Sequence, residues 1–278
     1  MSAREGAMGI EIVQVDAFTS MPFRGNPAAV CFLAEARDAE WMQNVALEMN
    51  LSETAFLVPR ANGHNERNWP GEIDLRWFTP AAEVDLCGHA TVASAHALWE
   101  TGRLGAGAPV HFHTRSGVLT AERRGDWIEL DFPSLPETAA APPAALAQAL
   151  GVTPVYVGKS RFDYLVEVES HAVLQGLRPN FAGLRQVEGR GVIVTTRSAS
   201  PEYDFVSRYF APSFGIDEDP VTGSAHCVLA PFWARKLGRQ EMTGYQASSR
   251  GGVVRVRLEG DRVRLGGKAV IVLRGELV

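Results

Sequence analysis

Two stretches far apart in the chain carry the same order of residues, and this repetition limits the fold more than any other feature. Arg76-Trp77-Phe78-Thr79-Pro80 is answered by Arg208-Tyr209-Phe210-Ala211-Pro212. An acid follows each, Asp85 and Asp219, and then a turn of small residues. The turn reads Cys87-Gly88-His89-Ala90 in the first copy and Thr222-Gly223-Ser224-Ala225 in the second. Each copy runs on into an apolar stretch that ends near a glycine, Gly102 or Gly238. The alternating residues 203–210 read as a strand, and 225–237 as a buried helix. A small turn therefore delivers the chain into a helix N-terminus. Free N–H groups and the positive end of the helix dipole favour an anion there. The expectation is two similar halves, each aiming a helix start at one shared cleft that grips a carboxylate-bearing small molecule.

The rest of the chain fits a duplicated α+β fold with two pseudo-symmetric halves. Each half would be a mixed sheet or barrel wrapped around a central helix. Strands are expected at 10–18, 28–33, 54–58 and 73–78, with a helix at 38–49 capped by Asp38. Residues 62–71 read as a polar loop, 89–100 as a helix, and 110–113, 117–123 and 127–131 as antiparallel strands. Pro136 and Pro142-Pro143 mark a crossing between halves, with a short helix at 144–150. Strands at 155–159, 161–168, 191–196, 252–258, 261–265 and 268–274 follow, with a short helix near 171–176. The halves are expected at residues 9–135, completed by 268–278, and at 136–267. Helices are too few for continuous strand–helix alternation, which excludes a doubly wound sheet.

Bulk properties narrow the class. The chain has 278 residues, 46% of them hydrophobic, enough to build real cores. The net charge of −5 and the absence of long Lys/Arg runs argue against nucleic acid as a partner. No apolar run reaches membrane length, and Met1-Ser2-Ala3-Arg4-Glu5-Gly6 does not read as a signal peptide, so a cytoplasmic protein is expected. Cys31, Cys87 and Cys227 are odd in number and lack CxxC spacing, which points away from disulfides and zinc knuckles.

Glu53 opens an apolar strand beside Leu51 and Phe56. A partly desolvated carboxylate there could both take and return a proton; a capping or surface acid is the plainer alternative. His89, at a helix start, could donate to a substrate carboxylate or carbonyl, or simply close a turn. Asp219 could orient His89, accept from a substrate hydroxyl or amine, or initiate the Asp-Pro turn. Cys87 could act as a base at a helix start. A two-thiol racemase needs a second cysteine in the other half, where Thr222 stands instead. Ser224 lacks the Gly-X-Ser-X-Gly setting of a hydrolase nucleophile. His226 and His96 read as structural. His111 and His113 share a strand face without further ligands, so no metal is expected.

Five ordered segments resemble the PhzF-like family of phenazine-biosynthesis isomerases, which has the diaminopimelate epimerase-like fold. They are Val15-Asp16-Ala17-Phe18 with Gly25-Asn26-Pro27-Ala28-Ala29-Val30, then Asn50-Leu51-Ser52-Glu53-Thr54, then Arg76-Trp77-Phe78-Thr79-Pro80. Cys87-Gly88-His89-Ala90-Thr91 and the run from Asp219 to Ala225 complete the set. The resemblance implies a cofactor-free isomerase, typically a homodimer, acting on a small carboxylated metabolite. It places the general acid/base on Glu53, with His89 and Asp219 as further catalytic residues. It places substrate binding on Ser52, Gly88, Ala90, Gly223 and Ser224. The rivals are an amino-acid epimerase using Cys87 as one base and a small-molecule-binding protein without turnover.

Overall fold

The computed structural model describes residues 9–60 and 68–278. The polar N-terminal run and most of the loop expected at 62–71 lie outside the described residues. The chain forms two compact units. The first holds the described residues up to Phe23, those from Pro27 to Leu130, and Lys268–Val278; the second holds Arg24–Asn26 and Asp131–Gly267.

In the first unit, strand Ile10–Ala17 pairs antiparallel with Ala269–Leu277, so the end of the chain returns to its beginning. Strand Asn26–Phe32 runs parallel to Glu53–Pro59, with Ala28 opposite Glu53. Glu53–Pro59 is antiparallel to Glu72–Phe78, which is parallel to Val110–Thr114. Two tight antiparallel connections then lead through Gly117–Arg124 to Trp127–Pro133. Helix Gly88–Glu100 touches strands from across this sheet, Ile10–Ala17, Glu53–Pro59, Gly117–Arg124 and Ala269–Leu277. Its residues from His89 to Trp99 are buried except His96, which suits an Ala-rich helix enclosed by strands. A second core lies under helix Ala39–Met49, where Met42 and Ala46 meet Phe56 and Phe78. Asp38 caps that helix by accepting from Trp41 N at 2.7 Å.

The second unit repeats the plan. Tyr156–Lys159 is antiparallel to Asp163–Glu167, which is parallel to Gly191–Arg197, with Asp163 opposite Gly191. Antiparallel Phe205–Phe210 follows, and Glu241–Gln246 lies parallel to it. Gly252–Glu259 and Arg262–Gly267 complete the run in antiparallel steps. Helix Gly223–Leu237 packs on the last three of these strands. On its other side Trp233 stacks on Phe205 at 5.9 Å and donates to Thr195 Oγ1 at 3.0 Å. Each unit is thus a mixed sheet curled around one buried helix, an α+β arrangement.

Strand Glu241–Gln246 has no counterpart in the sequence reading. Its inward positions are Met242, Gly244 and Gln246, so a glycine and a buried amide hide the apolar alternation. The short helix Phe181–Leu184, capped by Asn180, is too brief to show a helical period.

Candidate active site

The first unit brings three of the singled-out side chains together. Glu53 is the first residue of its strand, and His89 the second residue of the buried helix. His89 Nε2 stands 3.0 Å from Glu53 Oε2, with the two side chains only 6% and 13% exposed. The contact lacks the alignment of a hydrogen bond, and Glu53 Oε2 has no hydrogen-bond donor among the described residues. Loose geometry of this kind is common in catalytic groups before a ligand tightens it. Cys87, the N-cap, is extended (φ −144°, ψ 107°) and makes no side-chain cap hydrogen bond. Its Sγ lies 3.5 Å from His89 Nδ1 instead. Ser52, Gly88 and Ala90 adjoin this cluster in sequence; Ser52 and Gly88 are half-buried and Ala90 is buried.

Burial by itself would push the His89 imidazole toward neutrality, but the flanking Cys87 and Glu53 outweigh it and hold the ring's pKa well above the usual value. Burial pushes the Cys87 thiol up, with the Glu53 charge adding to the effect. Glu53, Cys87 and His89 also place one donor atom each within 4.8 Å of one another. The imidazole stands between the other two, Nδ1 toward Sγ and Nε2 toward the carboxylate.

The second unit builds its helix start differently. Asp219 is buried, and its Oδ1 accepts from Asn26 Nδ2 at 2.8 Å while Oδ2 accepts from Thr222 Oγ1. Gln246, fully buried, donates to Asp219 O at 2.8 Å and accepts from Thr222 N at 2.9 Å. Ser248 donates to Pro220 O at 2.8 Å. Thr222 is the extended N-cap and, like Cys87, makes no side-chain cap. The segment from Asp219 to Thr222 is therefore pinned from several sides while the first helical N–H groups stay open. Ser224 Oγ accepts from Arg190 Nη2 at 3.1 Å. His226 donates Nδ1–H to Thr222 O at 2.8 Å and is fully buried, which makes it structural.

Sequence reasoning passed over several of these partners. Asn26 entered only as part of one resembling segment, and it anchors Asp219. Arg190 and Asp163 lie in no motif, and Gln246 sits in a strand with no apolar signature. The repeated segments are alike in one further respect. Arg76 forks onto Glu83 at 2.7 and 2.8 Å, and Arg208 forks onto Glu218 at 2.7 and 2.8 Å. Each guanidinium covers the Phe two residues on, at 5.2 Å and 5.0 Å. The acids aligned by sequence are unlike each other, because Asp85 is exposed and Asp219 buried.

The model of the phenazine biosynthesis-like protein family (PhzC-PhzF) matches residues 15–275. The chain is similar to an uncharacterized isomerase of Halalkalibacterium halodurans, with 56% identity over 272 residues, 98% of this chain and 99% of that protein. It is similar in structure to a PhzF-family phenazine biosynthesis protein of Enterococcus faecalis. There the TM-score is 0.89 at 37% identity, covering 98% of this chain and 100% of that one. A hydroxyproline epimerase of Agrobacterium vitis gives a TM-score of 0.61 at 11% identity over 96% of this chain and 92% of its own, a likeness of fold alone. No helix among the described residues is long and apolar enough to cross a membrane.

Proposed function

This chain belongs to the phenazine biosynthesis-like family, and on that premise we propose that it is an isomerase working by a single glutamate. Its substrate would be a small cyclic or allylic carboxylate bearing a hydroxyl or amino group, resembling trans-2,3-dihydro-3-hydroxyanthranilate. The observation that carries the reading is the largely buried Glu53, 3.0 Å from His89 at an uncapped helix start. Glu53 takes a proton from an activated carbon, the double bond shifts, and Glu53 returns the proton to a second carbon on the same face. Atoms and electrons balance without a cofactor. His89, held cationic, offers Nε2–H to charge developing on the substrate. Ser52 and the amides of Gly88 and Ala90 hold the substrate near Glu53. Gly223 and Ser224 bind a carboxylate at the other helix start, with Asp219 fixing that turn. One general acid/base supplies roughly two to four orders of magnitude in rate, and positioning and electrostatics supply the remainder.

The epimerase alternative needs Cys87 as a thiolate base, and the upward push on that thiol counts against it. The test is solvent-deuterium incorporation into trans-2,3-dihydro-3-hydroxyanthranilate, followed by mass spectrometry. The wild type should place deuterium on a product carbon. Glu53→Gln should turn over at least roughly a hundredfold more slowly while still binding the product-like 3-hydroxyanthranilate. Near-normal turnover by Glu53→Gln would remove Glu53 from the chemistry. Binding without deuterium uptake by the wild type would support a binding protein.

A further inference from the structure

The second unit devotes unusual structure to one arginine. Asp163 is fully buried. Its Oδ1 accepts from Arg190 Nε at 3.0 Å and from Tyr209 Oη at 2.9 Å, and its Oδ2 accepts from Arg190 Nη2. Burial, with the Asp163 charge adding to it, pushes the Tyr209 phenol far up, so it remains a donor. Gly191, opposite Asp163 in the parallel pair, leaves the room this requires, since a Cβ there would overlap the Tyr209 hydroxyl. Gly189 has φ +129°, a conformation that side chains other than glycine's avoid, and the next residue, Arg190, donates its N–H to Phe162 O at 2.8 Å. The guanidinium then covers the Phe162 ring at 5.1 Å. Backbone, carboxylate, phenol and ring all fix one orientation.

Two donations go to Asp163, and Nη2 also donates to Ser224 Oγ at 3.1 Å. A guanidinium can only donate, and a serine hydroxyl has one hydrogen and two lone pairs. The bond therefore occupies a lone pair of Ser224 and leaves its hydrogen free to donate elsewhere. We propose that Arg190 is a positioning residue that commits the Ser224 hydroxyl to act as a donor toward a substrate carboxylate. This rests on the reading of Ser224 as a carboxylate-binding residue. Because Asp163 balances its charge, Arg190 sets the direction of the hydroxyl without adding an uncompensated cation. The device fits carboxylates, which only accept, and disfavours a ligand group that presents a hydrogen to Ser224.

Arg190→Gln, Arg190→Lys, Ser224→Ala and the double variant Arg190→Gln/Ser224→Ala separate the possibilities. In the free protein, the loss of melting temperature in the double variant should fall about 2–4 °C short of the sum of the single losses. Additive losses would overturn the pairing. Isothermal titration then compares 3-hydroxyanthranilate with 2-aminophenol, which lacks the carboxylate. Ser224→Ala and Arg190→Gln should each lose about ten- to a hundredfold in affinity for the carboxylate and little for 2-aminophenol. The double variant should be no worse than Ser224→Ala. Arg190→Lys keeps the charge but not the fork, so it should fold and still lose affinity, which covers the case of an unfolded Arg190→Gln. Normal carboxylate affinity in a folded Arg190 variant, or in Ser224→Ala, overturns the proposal. Failure of the wild type to bind 3-hydroxyanthranilate overturns the substrate class instead, and the melting-temperature cycle still decides the pairing.

Discussion

His226 should make the protein acid-sensitive in a way that a single substitution can reveal. Its ring is fully buried in the first turn of helix Gly223–Leu237. Nδ1–H is held by Thr222 O, while Nε2 faces Phe205 and Gly244 and has no hydrogen-bond partner among the described residues. Protonation would place an N–H without an acceptor in an apolar wall, and burial lowers the pKa from 6.5 to about 4. The folded state resists a proton that the unfolded chain accepts below about pH 6.5. Stability from this group is therefore fully present above that pH. It is lost as pH falls from about 6.5 to about 4, by about 3 kcal/mol in all. Urea unfolding of the wild type and of His226→Gln, which cannot titrate, should be compared across that window. The wild type should lose about 3 kcal/mol more than the variant on acidification, whatever the offset between them at pH 7. Two parallel curves would refute the reasoning. An NMR titration offers a second view, because His89 has the opposite sign. It should keep its proton to higher pH than an ordinary imidazole, while His226 stays neutral to below pH 5.

Cys87→Ala should keep most of the isomerase activity, and the wild-type thiol should resist alkylation at pH 7, because burial holds it neutral and covered. Loss of activity in step with alkylation of Cys87 would move the reading to an epimerase. The two arginine forks should differ in worth. Arg208 is the more buried and also donates to Leu174 O and Leu177 O, so Arg208→Leu should cost about 3 kcal/mol in urea unfolding. Arg76→Leu, on a side chain 30% exposed, should cost about 1 kcal/mol. Equal losses would refute this ranking.

Much of the architecture was legible because its signals are local. Alternation marks the strands, Asp38 marks the start of the first helix, and apolar runs after small turns mark the two buried helices. Glu53 and His89 were legible as candidates, and their 3.0 Å contact within one unit was not. A parallel pair sets Glu53 beside Ala28, and nothing in either segment announces that pairing. What was hidden lies in side chains that act across long separations. Asn26 reaches Asp219 and Gln246 reaches Thr222, through buried amides that have no period and no motif. Polar residues at inward strand positions weaken the pattern by which strands are found, so the residues that fix a turn can conceal the strand that carries them.

The two helix starts share a backbone plan and differ in chemistry, which is informative about their tasks. Each follows an Arg–Glu fork that braces the preceding loop, over a separation of 7 residues in one unit and 10 in the other. Loops of unequal length thus end in the same kind of uncapped helix. In the first unit the groups around the helix start are Glu53, His89 and Cys87, all able to change protonation. In the second the nearby charged pair is Arg190 with Asp163; burial alone would lower the Arg190 pKa, but the bonds to Asp163 outweigh it and drive the pKa further up. A guanidinium held this way does not exchange its proton at working pH, so it can orient and grip but cannot relay. His89 beside Glu53 can do both. On the reading proposed above, Glu53 moves the proton and Ser224 recognises a carboxylate. It follows that substitutions around Ser224 should act mainly on affinity, and substitutions of Glu53 mainly on turnover.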